Sequence, residues 1–200
     1  PPPFRDFGDL PDDYGTTLAA NGARHILVAG GAYLGARVDW EEDGQPTLGA
    51  DGDDLNGADE DGVVFLTPLM PGFPALMQVT AGTAGYLSAF VDWKGSGELS
   101  PLVVDLGDAP TALSDTSLAA GVHLFWVDVP ADAGETVYAR FRFTNQAGQG
   151  GASALGEAST GEVEDYALAT TLPAALGDFV WTEIGPYDGL QSDMEREQAG

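Results

Sequence analysis

The chain contains no cysteine, which excludes disulfides, thiol catalysis and cysteine-ligated zinc together. Two histidines, His25 and His123, are too few for a histidine-built zinc centre, which draws on several nitrogen or sulfur ligands. Basic residues are almost as scarce: seven Lys plus Arg stand against 32 Asp plus Glu in 200 residues, a formal net charge of −25. Phosphate contacts need a basic face, and Lys94 with a handful of arginines cannot build one against that excess, so no nucleic acid is expected as a partner. No apolar run approaches the roughly 18 residues that mark a membrane-spanning helix, so no membrane insertion is expected. Neither histidine lies near a nucleophile motif of the G-x-S-x-G type. Carboxylates are so numerous that no glycosidase pair stands out, and the expected role is non-catalytic.

A hydrophobic content of 44% is enough for a packed core. The 28 glycines and 13 prolines fall in turn clusters between short apolar or alternating runs. That pattern predicts an all-β fold, an antiparallel β-sandwich of jelly-roll type with long acidic loops. Strands are expected at His25–Ala29, Leu34–Trp40, Val63–Leu66, Ala75–Ala81, Tyr86–Trp93, Val122–Val129, Val137–Thr144, Val163–Ala169 and Phe179–Thr182. Alternation puts Leu87, Ala89, Val91 and Trp93 on one face of their strand, and Ala139, Phe141 and Phe143 opposite Tyr138, Arg140 and Arg142. Val122–Val129 is apolar on both sides, as a sheet-covered strand would be, and 111–120 reads as loop. A Pro-rich linker is expected at 1–5 and the main domain at 6–172. Residues 173–200, too few for a core of their own, are either the start of a next domain or an edge strand of the first.

The densest signal is the run from Asp51 to Gly62, which carries Asp51, Asp53, Asp54, Asp59, Glu60 and Asp61 directly before an apolar strand. Its spacing is not that of an EF-hand. Solvated acidic surface is one reading. A Ca²⁺ site is the favoured one, because this many neighbouring carboxylates repel one another unless neutralised, and Ca²⁺ takes six to eight oxygens from such loops. The candidate ligands are Asp51, Asp53, Asp54, Asp59 and Asp61, with Asp9 from the N-terminal segment. A second cluster comprises Glu162, Glu164 and Asp165. It is expected to pair with Arg140 and Arg142 as structural ion pairs across a hairpin, the other reading being a calcium ligand set. Trp40, Trp93, Trp126 and Trp181 sit in apolar runs and are expected to pack in the core rather than to line a sugar-binding platform.

Five stretches in order carry a resemblance: Asp6 to Gly15, Asn21 to His25, Asp51 to Gly62, Tyr138 to Arg142, and Gly161-Glu162-Val163-Glu164-Asp165-Tyr166. Together they resemble the GEVED domain family of secreted bacterial proteins over about residues 6–169. The resemblance implies a β-sandwich module of long multidomain surface or secreted proteins, with no catalytic role for its signature residues. The tail, with Leu176, Asp178, Phe179, Trp181, Asp188 and Gly189, resembles the start of the calcium-binding B-type domain of serine-aspartate repeat adhesins, but Glu183 to Gly189 lacks that family's early ligands. A further departure is Lys94, which stands where relatives carry an oxygen ligand. Its ammonium is expected to take the place of a cation beside Asp92 or Glu98.

The combined expectation is a monomeric, non-catalytic, Ca²⁺-stabilised module of a bacterial adhesin, extracellular or at the cell surface and flanked by neighbouring domains. It would hold a peptide or glycan at calcium-fixed loops. The alternative is a carbohydrate-binding module attached to a secreted hydrolase.

Overall fold

Short strands dominate because turn residues interrupt nearly every apolar run. The computed structural model describes residues 3–52, 61–107, 109–149 and 151–172. Among them lie β1 (Arg5–Phe7), β2 (Arg24–Ile26), β3 (Val63–Phe65), β4 (Pro74–Ala81), β5 (Gly85–Asp92), β6 (Ser100–Pro101), β7 (Val103–Asp105), β8 (Pro110–Ala112), β9 (Thr116–Leu118), β10 (Gly121–Asp128), β11 (Thr136–Thr144) and β12 (Glu157–Ala169), with one 3-10 turn at Asp12–Tyr14.

The strands form two sheets, and the architecture is the expected all-β sandwich. One sheet runs β1-β2-β12-β11-β5-β6 with β9 also on β5; the other runs β3-β4-β10-β7-β8. All pairings are antiparallel except that of β2 with the start of β12, where the register shifts between Ala158 and Thr160. The core between the sheets is built by alternation: Ala75, Met77 and Val79 of β4, Leu87, Ala89 and Val91 of β5, and Val137, Ala139, Phe141 and Phe143 of β11 all point inward and are buried.

The opposite face of the larger sheet is also covered. Leu10 and Tyr14 pack there with Ala50 against Leu99, Tyr138 and Ala167, and the Tyr14 and Tyr138 rings lie 5.0 Å apart. The N-terminal segment thus forms a third layer, and Tyr14 of that segment meets Asp92 on the face of β5 away from the main core, where Ser88 and Phe90 are buried as well.

Three expectations are corrected. Leu34–Trp40 is not a strand: Leu34 makes one isolated bridge to Ala81, and the segment leaves the sheet after it. Val122–Val129 is covered on one side only. Phe125 and Val127 are buried, while Val122, Leu124 and Trp126 lie half exposed on the outer face of the smaller sheet, over which no third layer runs among the described residues. Residues 111–120 are not all loop, since they contain part of β8 and all of β9. The expected strand Phe179–Thr182 and the whole of 173–200 lie outside the described residues.

Candidate functional site

The third layer is polar where it meets the sheet. β11 and β12 pair so that Arg140 faces Asp165 and Arg142 faces Val163, while Phe141 faces Glu164 and Phe143 faces Glu162. Directly opposed residues share a face, so the arginines and Asp165 point toward the N-terminal layer. Glu162 and Glu164 point into the space between the sheets.

Arg140 and Asp165 are both fully buried and form a two-pronged pair. Nε donates to Asp165 Oδ1 at 2.8 Å and an Nη to Oδ2 at 2.8 Å. The other Nη donates to the carbonyls of Tyr14, Gly15 and Ala154 at 3.1, 2.8 and 2.9 Å, so one guanidinium ties two stretches of irregular chain together. Asp165 Oδ2 also accepts the Leu10 N–H at 3.0 Å.

Arg142 makes no such pair, contrary to the expected bond to the signature glutamates, because the register sets it opposite Val163. Its Nε donates to His25 Nε2 at 3.0 Å, and its Nη atoms donate to the carbonyls of Ser153, Leu155, Arg24 and Gly156. Burial, then the charge of Arg140, lower its pKa to about 9.

The two glutamates act on backbone instead. Glu162 Oε1 accepts the Leu34 N–H in a short bond, and Glu164 Oε1 accepts the Gly62 N–H at 2.9 Å. Glu164 Oε2 accepts from Tyr166 OH at 3.0 Å, and that hydroxyl in turn accepts the Val63 N–H at 3.1 Å. The same device recurs at Asp6, whose Oδ2 accepts the Val163 N–H at 2.5 Å, and at Glu41, whose Oε2 accepts the Phe7 N–H at 2.9 Å. Buried carboxylates here substitute for strand partners that irregular chain cannot find. Gly161 and Gly8 permit the close approach. A Cβ on Gly161 would stand 1.9 Å from Phe143 O, and one on Gly8 would stand 2.2 Å from Asp165 Oδ2.

The acidic loop is clamped at both ends. Asp9, fully buried, accepts the Gly52 N–H at 2.7 Å, and Asp51 Oδ1 accepts from Thr47 Oγ1 at 2.7 Å. At the far end Asp61 Oδ1 accepts the Ala36 N–H at 2.8 Å, next to the bond from Gly62 to Glu164. Of the six expected calcium ligands, Asp53, Asp54 and Asp59 lie outside the described residues. Among the described residues no three Asp, Glu or His side chains come together as a metal-holding group, so Asp9, Asp51 and Asp61 do not make a calcium centre by themselves.

The Lys94 side chain does not pair with Asp92 or Glu98 as expected. Its ammonium contacts Asp132 at 2.5 Å, and both side chains are exposed. Asp92 is saturated by other donors: Lys94 N–H, Gly97 N–H, Ser96 Oγ and Tyr14 OH. Burial pushes the Asp92 carboxyl pKa up, but these hydrogen bonds outweigh it and the net direction is down. The tryptophans depart from core packing in two cases. Trp93 packs against the core, whereas Trp126 is 49% exposed and Trp40 is 53% exposed, its ring edge-on to Phe4 at 5.1 Å. Trp181 lies outside the described residues.

Sequence reasoning missed His25, the carboxylate clamps of Asp6 and Glu41, and the role of Asp92. The partners of His25, Asp6 and Glu41, and the Tyr14 hydroxyl that meets Asp92, lie on segments far away in the chain and leave no local signal. No curated protein and no solved structure matches the chain. Residues 86–169, from β5 through the carboxylate-bearing β12, match the family model of the GEVED domain.

Proposed function

We propose that this chain is a non-catalytic β-sandwich module of an extracellular or cell-surface bacterial protein, of adhesin type, stabilised by Ca²⁺ at the 51–62 loop. The observation that carries this reading is the use made of its carboxylates. Asp6, Asp9, Glu41, Asp92, Glu162, Glu164 and Asp165 each accept backbone or guanidinium hydrogen bonds, so the acids engaged in the interior serve to hold chain in place. The loop between the clamps carries Asp53, Asp54, Asp59 and Glu60 in eight residues, flanked by exposed Asp51 and Asp61. A divalent cation would neutralise a cluster that burial elsewhere has already forced into single-residue bonds. A ligand, peptide or glycan, would be met at loops made rigid this way.

The carbohydrate-binding alternative requires aromatic side chains in a row on one sheet face. Among the described residues Trp126 shares its face with the aliphatic Val64, Val122 and Leu124 instead, so that reading has less support.

Thermal melts in millimolar Ca²⁺ and in EDTA test the proposal. A ligand at a hundred times its Kd adds about 2.7 kcal/mol, which for a domain this size is about 5–10 °C. A protein carrying both Asp53→Asn and Asp59→Asn should melt at one temperature in both buffers. Identical melting of the unmodified protein with and without EDTA would refute the calcium reading. Glycan and peptide arrays probed in both buffers test the ligand reading, which requires a signal that EDTA abolishes.

A further inference from the structure

His25 is a fully buried histidine on β2 with both ring nitrogens engaged. The Nε–H of Arg142 can only donate, so the 3.0 Å contact makes His25 Nε2 the acceptor. The ring proton therefore sits on Nδ1, 3.1 Å from the carbonyl oxygen of Ser159. The imidazole is held neutral in a single tautomer by a cation on one side and a carbonyl on the other.

The charged groups around it come from every element packed there. β11 supplies Arg142, with Arg140 two residues away on the same face. β1 supplies Asp6, opposite His25 in the ladder, with Oδ2 bonded to the Val163 N–H. β2 itself supplies Arg24. β12 supplies Asp165, which is taken by Arg140, and Glu157, which accepts from Arg5 at 2.7 Å and from Arg24 at 3.4 Å. The direct contact to His25 is thus a guanidinium, and the nearby carboxylates are committed to other donors.

We propose that His25 is an acid-sensitive latch for the N-terminal layer. A proton taken up at Nε2 removes the acceptor of Arg142, sets two cations in contact inside the protein, and frees β1 and β2 from the larger sheet. The same guanidinium also holds the carbonyls of Arg24, Ser153, Leu155 and Gly156, so its displacement loosens both the β2 strand and the chain from Ser153 to Gly156.

Burial first, and then the Arg142 charge, keep the imidazole pKa well below its ordinary 6.5. A group whose folded pKa lies under its unfolded value leaves stability intact above the unfolded pKa, here 6.5, and removes it as pH falls below. In that range each pH unit raises the unfolded-to-folded ratio by up to about tenfold. The carboxylates with lowered pKa, Asp92 and Glu157 among them, add their own losses only at lower pH.

The test compares the unmodified chain with His25→Gln, which keeps an acceptor for Arg142 and cannot ionise. Denaturant unfolding is followed from pH 7 to pH 5, together with amide exchange corrected for intrinsic rate. The unmodified chain should lose close to tenfold in its folding equilibrium between pH 6 and pH 5, with the amides of β1, β2 and Leu10 exposed first, and the variant should be flat. An equal slope in both proteins, or β1 and β2 amides that stay protected at pH 5, overturns the latch. If the variant does not fold, amide exchange of the unmodified chain decides: β1 and β2 amides that lose protection between pH 6 and pH 5 while those of β4 and β11 keep theirs support the latch, and an equal loss in all four strands, or titration of the His25 imidazole near pH 6.5 with β1 and β2 still protected, overturns it.

Discussion

Replacing Asp165 by Asn changes one atom and should cost several kcal/mol. The carboxylate and its partner are both at 0% exposure, joined by two 2.8 Å bonds from Arg140. An amide offers the guanidinium one neutral oxygen. The amide's NH2 group meets the Arg140 Nε–H if it takes the place of Oδ1, and both an Arg140 Nη and the Leu10 N–H if it takes the place of Oδ2, donor against donor in either case. Removing one member of a buried pair costs about 3–5 kcal/mol, because the surviving charge stays buried. That is a large share of the roughly 5–15 kcal/mol that holds a domain folded, and it corresponds to a fall in Tm of about 6–20 °C. Urea unfolding at pH 7 measures it directly, with the m-value showing that the same surface is exposed. The double replacement Arg140→Met and Asp165→Leu should recover part of the loss. It cannot recover all, since the carbonyls of Tyr14, Gly15 and Ala154 lose their shared donor. A loss below about 1 kcal/mol for Asp165→Asn, the scale of an exposed pair, would refute the reasoning.

Gly161→Ala should abolish or severely weaken folding, since the added carbon meets Phe143 O at 1.9 Å and His25 Nδ1 at 2.7 Å, whereas Gly148→Ala, in open space at φ 72°, should cost about 1 kcal/mol; expression and chemical denaturation of both proteins compare them. Phe141→Ala should lose about 3–5 kcal/mol from the closed core, while Trp126→Ala on the outer face should lose about 1 kcal/mol or less, a contrast that thermal melts resolve. Asp92→Asn should flatten the acid limb of stability. The native carboxyl sits below its ordinary value, so its contribution is complete above about pH 4 and is lost as pH falls through the folded pKa; unfolding curves from pH 5 to pH 2 would show the difference.

The long strands were legible because β4, β5, β10 and β11 each run for eight residues or more with inward-facing apolar positions, and the second half of β12 adds Tyr166 and Leu168 to the same core. Two- and three-residue strands such as β1, β6 and β8 have no period to detect, and they exist because a neighbour offers a free edge. Leu34–Trp40 carried apolar residues but found no such edge beyond Ala81. At the carboxylate layer the hairpin of β11 and β12 was legible, and its register was not. A shift of one residue exchanges the faces, and that single parity decides why Asp165 meets an arginine while Glu162 and Glu164 meet backbone. The link between His25 and Arg142 joins residues 117 apart and leaves no local trace in the sequence.

The position of β12 near the end of the described chain also sets an order of assembly. Leu10 is bonded to a residue 155 positions later, Val163 to one 157 positions earlier, and Leu34 and Gly62 to glutamates 128 and 102 positions away. These bonds of Leu10, Leu34 and Gly62 cannot form until Glu162 to Asp165 has been synthesised and laid beside β11, whereas the clamps of Glu41 on Phe7 and Asp9 on Gly52 need only the first part of the chain. Contacts closing loops of that length form late and slowly. The N-terminal layer therefore has only its own short-range clamps to hold it until the last strand arrives, and its attachment to the larger sheet belongs to the end of folding.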